Sequence, residues 1–103
     1  MTHLFPVTCV TIIAESILER RLIDDLHDAG ALGWTMSPAQ GHGPRGRRVN
    51  EIEGGNIRIE VLASEEVVDR IWTLLEEQYF PNYAMAAWTQ TVNVARPERY
   101  TGN

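Results

Sequence analysis

At 103 residues the chain has material for one domain and too little for two, and its 44 % hydrophobic content supports a core and excludes wholesale disorder. A formal charge of −5 argues against a nucleic-acid binder, which carries a basic face. Cys9 is the only cysteine, so an internal disulfide or a cysteine-rich zinc site is excluded, and its apolar neighbours point to a packed core thiol. All nine basic side chains are arginine, which excludes a P-loop lysine and a Schiff-base lysine. Met1-Thr2-His3-Leu4 lacks the basic-then-apolar pattern of a secretory signal. No apolar run approaches the roughly 18 residues of a membrane span, so the expected compartment is the cytoplasm.

Residues 7–13 are mostly β-branched, with Val7, Cys9 and Ile13 on one parity and Val10 and Ile12 on the other. A strand apolar on both faces is covered on both faces. Ser16-Ile17-Leu18-Glu19 has the spacing of a capping box. Leu18, Leu22, Leu26 and Ala29, widened by Ile23, form a helical stripe that Gly30 or Gly33 ends. Trp34, Thr35 and Met36 begin a second strand that runs into Pro38. Residues 41–55 show no periodicity and read as a mobile loop. Ile57, Ile59 and Val61 alternate with Arg58 and Glu60 as a third strand. Ser64 caps a second helix, with Glu65 and Glu66 at the positive end of its dipole and Val67, Val68, Ile71, Leu74 and Leu75 as its buried stripe. Phe80-Pro81-Asn82-Tyr83 stops that helix, and residues 85–95 form the last strand. A tail from about residue 96, containing Arg96, Arg99 and Tyr100, either reaches a neighbouring subunit or frays.

The order β-α-β-β-α-β predicts an α+β, ferredoxin-like domain over residues 1–103, an antiparallel sheet with two helices on one face. The other face would then be bare, although it too carries apolar residues. Burial against other copies of the chain resolves that conflict, and a domain this small has reason to oligomerise.

The stretch richest in chemistry runs from Gly33 to Arg48. Its glycines let backbone amides approach an anion, and Arg45, Arg47 and Arg48 add bidentate donors suited to phosphate or a planar oxyanion. On composition alone, a solvated hairpin tip balanced by Glu51 and Glu53 is an equal reading. Among other residues, His42 could move a proton, and His27 with Asp24, Asp25 and Asp28 could hold a metal weakly. A solvated helix face is the better account of the second group. Trp34, Trp72 and Trp88 fit core or interface packing better than base stacking. Arg20, Arg21, Glu76 and Glu77 read as ordinary helix surface.

The run from Gly33 to Gly41-His42-Gly43 resembles the second strand of PII signal-transduction proteins, which ends in a Gly-x-Gly opening the T-loop. The third strand, Asn56-Ile57-Arg58-Ile59-Glu60-Val61-Leu62, is similar too. Gly41-His42-Gly43-Pro44-Arg45-Gly46-Arg47-Arg48 and Tyr79-Phe80-Pro81-Asn82-Tyr83-Ala84 resemble the PII-like branch associated with carboxysomes and bicarbonate transporters. This resemblance covers nearly the whole chain. It implies a homotrimer with inward-facing sheets, a T-loop at about 41–55 and adenine-nucleotide sites in the subunit clefts. Thr35, Met36 and Ser37 would line the adenine side. Gln40, Gly41, His42 and Gly43 would meet ribose and phosphate, with Arg45, Arg47 and Arg48 nearby, and Ala84, Met85 and Ala86 would close the pocket at the adjoining strand. The ligands implied are ADP or AMP, with bicarbonate near Gly43, Arg45 and Arg47, and no catalytic residue and no metal. The implied role is regulatory and non-enzymatic: T-loop ordering would control docking to a protein target, such as a bicarbonate transporter or carboxysome component.

The chain departs from conventional PII proteins in lacking the modified T-loop tyrosine, the glutamine after the Gly-x-Gly-Arg stretch and the lysine-bearing loop that grips triphosphate. Uridylylation and 2-oxoglutarate sensing are therefore not expected, and AMP or ADP should be preferred to ATP. Two other readings stay open: a small ferredoxin-like enzyme using His42, and a copper-tolerance-like, metal-binding trimer.

Overall fold

A computed structural model describes residues 3–41 and 55–102. Four strands form one antiparallel sheet in the order β2-β3-β1-β4: β1 (Phe5–Glu15), β2 (Thr35–Ala39), β3 (Asn56–Ala63) and β4 (Ala86–Val94). β1 is longer than the 7–13 core of its apolar pattern because it is central. It pairs with β3 over residues 8–15 and with β4 over residues 5–13, so both of its backbone edges are paired over residues 8–13. β2 runs on through Pro38 to Ala39. As an edge strand it can leave proline's missing donor on the unpaired side.

Strand parity decides the core. Val10, Ile12 and Ala14 of β1 share a face with Ile57, Ile59, Val61 and Ala63 of β3, and all are buried beneath the helices. α1 (Glu19–Asp28) contributes Leu22 and Leu26, preceded by buried Leu18, and α2 (Glu65–Leu74) contributes Val68 and Ile71. Each such aliphatic burial is worth about 1.5–3 kcal/mol. Beyond α2 a π turn (Leu75–Tyr79) carries the stripe on through Leu75 and Tyr79, and the Phe80 N–H bonds the Leu75 carbonyl five residues back at 2.9 Å. The steps Ile71, Leu75 and Tyr79 overshoot the 3.6-residue period, and a wider turn absorbs the drift.

The two helix starts differ. The Ser64 hydroxyl accepts from the Val67 N–H at 3.3 Å from an extended N-cap, as the sequence predicts. The capping box expected at Ser16 does not form. Ser16–Leu18 is a 3-10 turn, and the Ser16 N–H donates to the Gly55 carbonyl at 2.9 Å, tying the end of β1 to the start of β3. α1 then begins at Glu19 with no side-chain cap. Of the two glycines that could end α1, Gly30 does so, at φ +106°. Arg70 of α2 donates through Nε to the Ala29 carbonyl at 2.8 Å and joins the two helices there. The tail does not fray over these residues: Glu98–Thr101 is one helical turn, α3, closed by Gly102 at φ +81°.

Tyr79 is fully buried, and its hydroxyl donates to Asp25 Oδ2 at 2.5 Å, joining the end of the α2 layer to α1. Burial, reinforced by the Asp25 carboxylate, keeps this phenol protonated well above the ordinary tyrosine range.

The helix-free face carries Val7, Cys9, Thr11 and Ile13 of β1, opposed by Leu62, Glu60 and Arg58 of β3 and by Val92, Gln90, Trp88 and Ala86 of β4. Cys9 is buried as expected but lies on this face, outside the core under the helices, with Sγ 3.9 Å from Thr11 Oγ1. Burial raises its thiol pKa, so the unreactive protonated form is favoured. Thr11 is sealed although no helix covers it. Arg58 pairs with Glu60 at 3.3 Å, and its guanidinium leans to 5.9 Å from the Trp88 ring centroid on the far side of β1. Phe5 and Trp88 on this face stay 46 % and 40 % exposed, which leaves an apolar surface that one copy of the chain does not cover.

Two stability measurements check this account. In urea unfolding, Ser64→Ala should cost about 1 kcal/mol, whereas Ser16→Ala, which removes no cap, should cost less than about half of that. The raised Tyr79 pKa contributes stability that is complete below about pH 10, where folded and unfolded chains both keep the proton. It is lost as pH rises further, because the unfolded chain ionises first. Stability should therefore fall above about pH 10, and Tyr79→Phe should make that decline shallower.

Candidate functional site

The strand order separates the two groups of residues expected around the adenine. Thr35, Met36 and Ser37 lie on β2 at one edge, whereas Ala84 and Met85 lead into β4, which starts with Ala86, at the other. Three inter-strand steps separate these edges, roughly 14 Å. Within one chain the strand adjoining β2 is β3, so the two groups do not meet. They do lie at the same end of the sheet. Ala39 pairs with Asn56, Asn56 with Glu15, and Ala86 with Ile13, so the end of β2, the start of β3, the end of β1 and the start of β4 form one rim.

Side-chain direction divides the residues again. Thr35 and Ser37 lie opposite Glu60 and Arg58 on the helix-free face and are exposed, while Met36 packs against the core under the helices. Met85 also packs against that core, whereas Ala84 and Ala86 are exposed. The two methionines therefore anchor the rim, and their neighbours present small side chains and strand-edge backbone. Gln40 and Gly41 follow β2 and are exposed. His42, Gly43, Arg45, Arg47 and Arg48, and with them most of the expected T-loop, lie outside the described residues.

The foot of that loop is built tightly. Gly55, at φ +67°, accepts the Ser16 bond, and Asn56 next to it is only 5 % exposed. Its Nδ2 is the one buried side-chain polar atom without a hydrogen-bond partner among the described residues. An unmade bond of this kind costs about 1–3 kcal/mol. By strand parity Asn56 shares the helix-free face with Glu15, Ala39 and Arg58.

The chain entering β4 is held from α1 by residues that the sequence reading assigned to ordinary surface. Arg21 donates through a terminal guanidinium nitrogen to the Tyr83 hydroxyl at 3.0 Å, and its guanidinium lies 4.7 Å from the Tyr79 ring centroid and 5.7 Å from that of Tyr83. Arg21 Nε is 3.9 Å from the same Asp25 oxygen that Tyr79 bonds. The aromatic run from Tyr79 to Tyr83 was the available signal, but its partners lie 54 and 62 residues earlier in the chain. Trp72 meets Phe80 edge to face at 5.9 Å, and Trp34 packs on the core.

His27 is exposed and 3.8 Å from Asp28, while Asp25 serves Tyr79. Among the described residues, no three His, Cys, Asp or Glu side chains are placed to hold a metal. No helix among them is long and apolar enough to cross a membrane. An open groove of about 450 Å³ lies between α1 and α2, with Asp25, Ala29, Arg70 and Leu74 in its wall. A second, of about 470 Å³, lies beside Val7, Ala63, Ser64 and Thr101. Neither contains any residue of the expected nucleotide site.

Comparison with known proteins identifies the architecture. A PII-like signaling protein from Thermus thermophilus is 45 % identical, with 96 % of this chain and 99 % of that one covered and a TM-score of 0.81. CPII, a nitrogen regulatory PII-like protein from Thiomonas intermedia solved with ADP, AMP and bicarbonate, superposes with a TM-score of 0.87 over 98 % of this chain and 99 % of that one at 22 % identity. GlnK from B. subtilis in complex with ATP superposes with a TM-score of 0.61 over 84 % of this chain and 83 % of that one at 16 % identity. No curated protein matches the chain. The profile of the family "Nitrogen regulatory protein P-II" matches residues 7–99, and the chain belongs to that family.

Proposed function

We propose that this protein is a non-enzymatic regulator that binds ADP or AMP, and with them bicarbonate, in clefts between copies of the chain. The observation that carries this reading is the shared rim: strand ends Thr35 to Gly41 and Ala84 to Ala86 emerge at one end of the sheet but on opposite edges. A second copy that brings its β4 edge to this β2 edge completes a pocket that one chain leaves open. Each edge strand has backbone N–H and C=O groups unused within the sheet, and these can read the edge of an adenine ring. The exposed Phe5 and Trp88 on the helix-free face favour the same association, consistent with the trimer implied by the family resemblance.

The phosphates then point toward the loop from 41 to 55. Gly43, Arg45 and Arg47 supply donors for bicarbonate beside them, and Arg48 extends the cationic surface. Asn56, at the foot of the loop, adds a neutral donor that has no acceptor among the described residues. The ADP-, AMP- and bicarbonate-bound CPII supports the ligand classes. Because the chain contains no lysine, a γ-phosphate gains no ammonium partner, which favours ADP and AMP over ATP. Ligand-dependent ordering of the T-loop would decide which cytoplasmic target of inorganic-carbon metabolism, a transporter or a carboxysome component, can dock.

Calorimetric titration with ADP, AMP and adenosine, with and without bicarbonate, tests the proposal. Arg45→Ala or Arg48→Ala should weaken ADP about tenfold and leave adenosine nearly unchanged. Failure of the unaltered protein to bind any adenine nucleotide at millimolar concentration would refute it.

A further inference from the structure

The nucleotide proposal leaves unexplained a polar cluster that joins α1 to the chain entering β4. Arg21 and Asp25 stand four residues apart on α1 and so share one face of it. They reach across to Tyr79, at the end of the π turn, and to Tyr83, one residue before Ala84. Three links converge: the Tyr79–Asp25 hydrogen bond, Arg21 stacked on the Tyr79 ring, and the Arg21–Tyr83 hydrogen bond. The Tyr79 and Tyr83 rings are themselves 6.0 Å apart. The Tyr83 N–H closes the same turn on the Tyr79 carbonyl at 2.9 Å, and the Asn82 N–H bonds that carbonyl at 3.0 Å. Fold stability alone would be served by an apolar residue at position 79. A planar guanidinium held between a carboxylate and two aromatic rings fixes direction as well as distance.

Between this anchor and the first strand pairing, Met85 is the one other contact with the core. Ala84 is exposed, Met85 is only partly buried, and strand pairing begins at Ala86, opposite Ile13. We propose that Arg21, Asp25, Tyr79 and Tyr83 are positioning residues for nucleotide binding. They hold the entry to β4 in its ligand-ready conformation, so that binding does not have to order it. The inference rests on the nucleotide reading above and adds to it a second set of residues, between α1 and the chain entering β4, that sets affinity through Ala84–Met85–Ala86 without touching the ligand.

The test exploits which part of the ligand this segment faces. Arg45 and Arg48 serve the phosphate, whereas the β4 entry serves the base. Arg21→Met and Tyr83→Phe keep most of the side-chain volume and remove the polar link. Each should weaken ADP about five- to tenfold and adenosine by the same factor. The double variant should be no weaker than Arg21→Met alone, because that change already removes the hydrogen bond that Tyr83→Phe breaks. Arg21→Lys, which can still donate to Tyr83, should recover part of the loss. Folded variants with unaltered ADP affinity, additive losses, or a loss confined to ADP would each overturn the positioning role while leaving the nucleotide reading intact. Absence of nucleotide binding by the unaltered protein would overturn both.

Discussion

Everything about the proposed site follows from one constraint, the antiparallel order β2-β3-β1-β4. That order places β1 and β3 at the centre, where their helix-facing side chains can be sealed, and it leaves β2 and β4 as edges. It also makes the end of β2, the start of β3 and the start of β4 converge on a single rim. A pocket that needs both edges cannot close within one sheet of this kind. The apolar remainder on the helix-free face, centred on Phe5 and Trp88, belongs to the same problem, since one chain leaves it open. In the proposed function, ligand binding and association are two consequences of one topology.

The energetic division follows the same line. Beneath the helices the packing is aliphatic and closed, with Leu22, Leu26, Ile59 and Ile71 fully buried. Near the rim polar groups take over: Ser16 tied to Gly55, Asn56 buried with no partner among the described residues, Tyr79 bound to Asp25. Buried polar groups specify geometry at some cost in stability, and here they flank the two segments expected to meet a ligand. Such conflict between local stability and arrangement is the usual mark of a functional region.

Much of the fold was legible because it depends on local periodicity. The alternation of Ile57, Ile59 and Val61 located β3, the four-residue steps of Leu18, Leu22 and Leu26 located α1, and Ser64 marked the start of α2. What failed was non-local. Ser16 has capping chemistry, but its N–H bonds Gly55, 39 positions on and separated from it by the whole second strand and loop. Arg21 looked like surface because its partners come from the far end of the second helix. Cys9 was rightly read as buried, yet it lies on the helix-free face between Leu62 and Gln90, outside the core under the helices. For the proposed site, the β2 and β4 segments come from the resemblance to PII proteins alone. Their separation to opposite edges is a consequence of strand order, which no single motif encodes.

The central claim is that the adenine site is shared between copies of the chain. A crystal structure with ADP tests it most directly. The account predicts the nucleotide between β2 of one protomer and the start of β4 in its neighbour, with the base beside Thr35 and Ser37 and the phosphates toward the loop that follows Gly41. Nucleotide bound wholly within one protomer, for instance in the groove between α1 and α2, would contradict it.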